Sequence, residues 1–218
     1  MEKPTKLNFR DCTLPMLDRL FQLEEVFESS TLDAWLKQSN VMITEFETQN
    51  LEKLQYLLSL NVKHWNESEL LQNFIAPLFV LADFSTNKQF SLFAERRFGG
   101  IVDEVMLAGQ PDGMIASGFR EPEKPYFCFQ EYKRETDPEG DPAGQCLAAM
   151  LVAQEINQHQ IPIYGCYVIG ELWRFVVLQE RIYSTSIALT ASGEGIYHIF
   201  RTLKTLKQII INHQRIVG

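Results

Sequence analysis

Close cysteine pairs are missing from this sequence of 218 residues. Cys12, Cys128, Cys146 and Cys166 are scattered, and no histidine cluster neighbours any of them. Zinc sites and dithiol redox motifs need two thiolates within reach of one centre, so neither is expected. Cys128, Cys146 and Cys166 stand in apolar contexts, which predicts small buried hydrophobes in a reducing compartment. His64, His159, His198 and His213 show no ligand spacing and take no role. No run approaches the roughly 18 apolar residues of a membrane span. Met1-Glu2-Lys3-Pro4 carries no basic segment leading into an apolar run, so no secretory leader is expected. The expected setting is soluble and cytoplasmic. Internal repeats and low-complexity segments are absent as well. A long basic tract is also absent, and the formal net charge of −8 argues against a generic nucleic-acid coat protein. Charge is nonetheless uneven: Met1 to Asp83 holds seven Lys/Arg against thirteen Asp/Glu, whereas Phe200 to Gly218 holds four Lys/Arg and no acid. That asymmetry permits a nucleic-acid partner.

What is present suits a packed α/β protein. Hydrophobic residues make up 45% and charged residues 22%, the balance of an ordinary globular domain. The length fits one α/β domain with an added element, or one domain plus a small helical one. Apolar spacing predicts helices over Leu14 to Phe27, from Ser30-Thr31-Leu32-Asp33 onward, and over Thr44 to Leu60. These are expected to form an antiparallel bundle or cap over residues 1–63. Asn66-Glu67-Ser68-Glu69 opens a further helix to about Leu81, with Pro77 expected to bend or interrupt it. Strands are expected over Phe90 to Phe98, Val102 to Leu107, Met114 to Ala116 and Tyr126 to Tyr132, with Gly99-Gly100 and Gly109-Gln110-Pro111 as turns. Asp141-Pro142-Ala143 begins an Ala-rich helix to about Gln158. A hairpin follows, Ile163 to Ile169 and Trp173 to Leu178, turning at Gly170-Glu171. A short strand is expected near Ile182-Tyr183-Ser184. The last helix, Gly195 to about His213, should bury Ile199, Leu203, Leu206 and Ile210 and expose Arg201, Lys204 and Lys207. The fold class is thus α/β with a mixed sheet: helices, then helix, β-meander, helix, β-hairpin, helix.

One constellation carries chemistry. Gln110-Pro111-Asp112-Gly113 leads into a strand, and Phe129-Gln130-Glu131-Tyr132-Lys133 ends the next. Residues i and i+2 of a strand point to one face, so Glu131 and Lys133 project together. With Asp112 at the start of the neighbouring strand, three ionisable groups converge at one sheet end. Two carboxylates are hard oxygen ligands suited to Mg²⁺. A metal there would lower the pKa of an attacking water, and the ammonium would offset charge on a phosphoryl transition state.

Pro111-Asp112, a spacer of eighteen residues and Glu131-Tyr132-Lys133 resemble the PD-(D/E)XK nuclease superfamily, which includes restriction endonucleases and the nuclease domain of type I restriction subunits. The resemblance runs from about Glu67 to Leu178. It implies a restriction-endonuclease-like core in residues 64–218, preceded by a helical extension over 1–63 and closed by a C-terminal helix. It also implies a nuclease using Mg²⁺, with Mn²⁺ as the alternative ion, on nucleic acid, DNA before RNA. Asp112, Glu131 and the carbonyl of Tyr132 would hold the metal, with Lys133 beside it. Glu67 resembles the acid of the family's opening helix. Gln145 matches a glutamine that several branches place against the site; where some add a tyrosine four residues later, this chain has Ala149. A homodimer or an accessory protein partner stays open.

Each residue also has a plainer reading. Asp112 is a natural turn residue after proline. Glu131 and Lys133 could be an exposed edge pair, but Tyr126 to Phe129 form a run apolar on both faces, and charges ending a central strand are costly unless used or paired. Glu67 could simply favour a helix N-terminus, and Gln145 could be a polar helix residue. Arg96, Arg97, Arg120, Lys124 and Arg134 could border a phosphate groove or only solvate strand ends. The alternative functions are a catalytically inactive module of the same fold that binds nucleic acid or a protein, and a helical interaction protein whose strands support the segment 1–63.

Overall fold

Helices begin where a side-chain oxygen can accept the first free backbone N–H groups. Ser29 accepts from Leu32, Thr44 from Glu47, Asn66 from Glu69 and Asp141 from Gly144. At Thr44 and Asn66 the glutamate three residues on returns the bond, a complete capping box. The computed structural model describes residues 5–37, 41–86, 89–132 and 140–217, apart from the side chains of 130–132 and 216–217.

The chain enters on β1 (Thr5–Asn8), a 3₁₀ turn (Phe9–Asp11) and α1 (Leu14–Phe21). Next come β2 (Glu24–Glu25), α2 (Ser30–Leu36), α3 (Glu45–Asn61) and α4 (Glu67–Leu70). A π-helical turn (Leu71–Ile75) joins α4 to α5 (Ala76–Ala82). The meander is β3 (Ser91–Ala94), β4 (Phe98–Val102), β5 (Val105–Gly109), β6 (Gly113–Ala116) and β7 (Pro125–Tyr132). Then follow α6 (Pro142–Ile156), β8 (Ile163–Ile169), β9 (Leu172–Gln179), β10 (Ile182–Thr185), β11 (Leu189–Thr190) and α7 (Gly195–Val217). No helix among the described residues is long and apolar enough to cross a membrane.

The architecture is mixed α/β. The main sheet runs β2-β10-β9-β8-β7-β6-β3, with β11 paired to β9, and a second sheet runs β1-β5-β4. Within the main sheet β7 and β8 are parallel, with α6 between them in sequence, while β6–β7 and β8–β9 are antiparallel. Alternation along β7 feeds two cores: Phe127 and Phe129 face α2, α3, α5 and α7, and Cys128 faces α6. Helix α6 is apolar on every side and buried from Gly144 to Gln154. It lies between the sheets, packing on β7 and β8 and on β4 and β5, as an all-round hydrophobic helix must.

Several expectations need correction. The first helix stops at Phe21, not Phe27, because Gln22 takes a left-handed conformation (φ 53°). The chain then peels onto the sheet edge, Glu24 N–H donating to Arg181 O and Val26 N–H to Tyr183 O, both at 2.9 Å. The N-terminal helices do not form one bundle: α1 packs with α6, whereas α2 and α3 pack with α7 and α5 on the opposite face. Gly99-Gly100 is not a turn but the interior of β4, where Gly99 pairs with Ala108. A Cβ at Gly99 would lie 2.7 Å from that of Ala108, so the pairing itself requires glycine. The turn falls at Asp103 (φ 51°). At Pro77 the expected interruption takes the form of a π-helical turn, after which α5 runs on to Ala82. The preceding π turn, closed by Ala76 N–H to Leu71 O, relieves the clash a proline ring makes with the carbonyl four residues back. The last helix buries the four residues expected of it, but Lys204 and Lys207 are drawn into ion pairs with Glu47 and Asp83, both at 2.8 Å.

Candidate active site and its basic cleft

Strand β7 is central, with β6 on one side and parallel β8 on the other. Its C-terminal end carries Glu131 and Tyr132, whose backbones pair with Val168 and Ile169 of β8. Gly113 of β6 pairs with Phe129. Asp112, one residue earlier, therefore sits at the mouth of β6 beside this end of β7. Its carbonyl accepts the Glu95 N–H at 3.1 Å, tying the position to β3 as well. Asp112 is half-buried, between the fully buried β6 and the exposed Gln110. The Glu131 side chain and the whole of Lys133 lie outside the described residues, as does Arg134. Glu67 is exposed in the first turn of α4, on the helical segment whose Leu70 and Phe74 join the core of Phe127 and Phe129. Its neighbour Glu69 is committed to the capping box, accepting from Asn66 N–H at 2.7 Å.

Gln145 sits in the first turns of α6 and is almost fully buried, at 7% exposure. It lines an open cleft of about 500 Å³ together with Gln110, two residues before Asp112. The structure thus brings Gln145 toward the Gln110–Pro111–Asp112 connection. Lys6, Arg10 and Arg97 line the same cleft, and among the described residues no acid does. Arg10 makes only a loose contact with Asp11, at 3.8 Å. Lys6 and Arg97 have no ion-pair partner among the described residues. Of the cations named from sequence that lie among the described residues, only Arg97 lines this cleft; Arg96 pairs with Glu121 at 3.5 Å, and Arg120 and Lys124 are exposed elsewhere. Lys6 and Arg10 were missed because β1 was not foreseen. The alternation Lys6, Asn8 against Leu7 was the available signal, four residues being too few to read a period.

No family model matches this chain, and no curated protein matches it. Its chemistry must be read from its own residues. Among the described residues no group of three His, Cys, Asp or Glu is placed to hold a metal ion; the Glu131 side chain is not in that set. Carboxylates and backbone carbonyls, the donor types that Asp112, Glu131 and Tyr132 carry, are those a hard divalent cation takes. The cysteines offer no competing nucleophile. Burial, with the Asp11 charge, pushes the Cys12 thiol up to about 11, and burial pushes Cys146 up to about 12. Cys128 and Cys166 are raised well above the ordinary thiol value by burial and by Cys146. All four are free and buried. They stay protonated, which removes thiolate chemistry.

Proposed function

We propose that this chain is a metal-dependent phosphodiester hydrolase acting on nucleic acid, DNA before RNA, on a restriction-endonuclease-like core. The carrying observation is the β6–β7 register, which sets Asp112 beside the strand end bearing Glu131 and leading to Lys133. The order β6, β7, α6, β8, with Gln145 entering a basic cleft near Asp112, supports the same reading.

Asp112, Glu131 and the Tyr132 carbonyl would hold Mg²⁺ or Mn²⁺. When bound, such an ion polarises a phosphate oxygen and acidifies water. Lys133 would hold the attacking water and offset charge at phosphorus, and Gln145 would orient the scissile phosphate by its amide. Glu67 would serve as an auxiliary acid from the start of α4. In the hydrolysis a water oxygen bonds to phosphorus, one ester P–O bond breaks, and a proton passes to the leaving oxygen. The four free thiols fit a reducing compartment such as the cytoplasm.

The test is cleavage of supercoiled plasmid and of single-stranded DNA with Mg²⁺ or Mn²⁺. Lys133→Ala is expected to lose about a hundred-fold or more of the rate, the usual scale for removing one transition-state donor, with an unchanged melting curve. Equal cutting by both proteins overturns the assignment. The basic cleft would also serve a non-hydrolytic module, and wild-type protein that binds DNA but neither binds Mg²⁺ nor cuts would establish that reading instead.

A further inference from the structure

The second sheet has an outer face that the proposed chemistry leaves unexplained. Its inner face is built by Leu7, Val102 and Leu107, which pack on α6. The outer face is set by register. Asn8 pairs with Ala108 and Ala108 with Gly99, forming one row across the three strands. Lys6 pairs with Met106 and Met106 with Ile101, forming the next. The first row bears nothing larger than an asparagine, so the sheet there is a shallow trough. Its floor is fixed, because a side chain at Gly99 would collide with the Ala108 Cβ and the Leu107 carbonyl at 2.7 and 2.8 Å. Lys6 and Arg10 stand on the β1 side, Arg97 leads into β4, and Gln110 and Gln145 stand at the end toward Asp112.

The charge of this trough is opposite to that of the molecule. A chain of net charge −8 gathers three cations around one cleft, whose lining holds no acid among the described residues. Lys6, Arg10 and Arg97 are all exposed, so their burial against protein does not account for the cluster. The distance from β1 to β4 across β5 is two strand spacings, roughly 10 Å. The cations are therefore spread too widely for one phosphate and suit a run of them. The cleft is open, and its lining is polar and apolar in similar share.

We propose that this trough seats the sugar-phosphate backbone of the nucleic acid and leads it to the Asp112 mouth, with Lys6, Arg10 and Arg97 each neutralising a phosphate. This rests on the nuclease reading for the direction of the strand, not for the binding itself. Recognition here is independent of sequence, because phosphates carry no sequence information.

Binding of fluorescent oligonucleotides, single-stranded and duplex, is measured in EDTA across a salt series, which suppresses cutting. The Lys6→Gln/Arg97→Gln double variant changes only exposed side chains. It is expected to weaken binding of every sequence equally. It should also make the log-affinity against log-salt slope shallower by about 1.8 for duplex, or about 1.4 for single strands. The Arg120→Gln/Lys124→Gln variant, equal in charge but outside the cleft, should leave the slope unchanged. An unchanged slope in the first variant, equal losses in both, no binding by wild type, or preference for polyglutamate at matched charge each overturns the seat. The two readings fail separately. Salt-sensitive binding lost in the first variant, with no metal-dependent cutting by wild type, keeps the seat and rejects the nuclease; cutting with binding indifferent to Lys6 and Arg97 does the reverse.

Discussion

Glu47 shows how one side chain can serve local and distant structure together. Its carboxylate accepts the Thr44 N–H at 2.7 Å, closing the capping box of α3, and accepts Lys204 of α7 at 2.8 and 2.9 Å. Burial alone would raise its pKa; the bonds from Lys204 and Thr44 prevail and hold it below the ordinary glutamate value. A depressed folded pKa means stability that is fully present above the unfolded value, about 4.3, and lost as pH falls through the folded one. Glu47→Gln is therefore expected to cost about 1–2 kcal/mol at pH 7. The gap should shrink below about pH 4 and vanish once wild-type Glu47 is protonated in both states. Urea unfolding at pH 7, 5 and 3 reads this directly, and a gap constant across that range would refute the linkage. The capping half of this residue was legible, because Thr-x-x-Glu spells it. The Lys204 half was not, since its partner lies 157 residues away and looked like one more exposed helix cation. Asp112 was legible by spacing: alone it is a turn residue after proline, and Glu131-Tyr132-Lys133 beyond a spacer of eighteen residues makes it conspicuous. Lys6 and Arg10 announce nothing until β1 places them.

At the scale of elements, α6 was readable as a helix but not as the partition between two sheets. Asp141-Pro142 marks its start, and the apolar run marks its length. An apolar surface on all sides, however, names no face, so the sequence could not say that a second sheet lay behind it. The strands of that sheet were also mis-phased, because Gly99-Gly100 looks like a turn when it is a close strand contact. The crossing with the N-terminal segment is tight. Asp141 accepts from both Gly144 and Leu14, at 3.0 and 2.8 Å, pinning the starts of α6 and α1 together. A Cβ on Gly144 would lie 2.5 Å from the Cys12 carbonyl oxygen and 2.7 Å from the Thr13 Cα. These are backbone atoms that no rotamer change can move. Gly144→Ala should therefore force the helix start outward, costing about 1–3 kcal/mol and shifting Gln145 in the cleft. Thermal unfolding measures the first effect. Oligonucleotide affinity measures the second, and a variant matching wild type in both would show that the two segments separate freely.

The whole molecule depends on its first 63 residues in a way their helical appearance conceals. That segment gives β1 to the second sheet and β2 to the edge of the main one. Phe9, Cys12, Leu17 and Phe21 pack in the core of α6. On the opposite face Trp35 is fully buried, stacked edge-on against Tyr164 and Phe175 at 4.9 and 5.0 Å, and its indole N–H donates to Thr202 O at 2.9 Å. Leu51, Leu54 and Leu58 of α3 join the same core. Removing residues 1–63 would thus uncover both faces of the central strands and strip β5 of its β1 partner, creating an apolar surface beside an open strand edge. Losing Trp35 alone should cost about 3–5 kcal/mol, a large share of the roughly 5–15 kcal/mol that holds a domain together. The fragment 64–218 is accordingly expected to bind a hydrophobic dye, lose its cooperative melt and aggregate, while the full chain melts in a single transition. A monomeric fragment melting cooperatively within a few degrees of the full chain would instead make residues 1–63 a true appendage. On the packing described, the cleft and the proposed site depend on residues 1–63, because Lys6 and Arg10 belong to that segment and β7, which carries Glu131, lies between cores that it helps to complete.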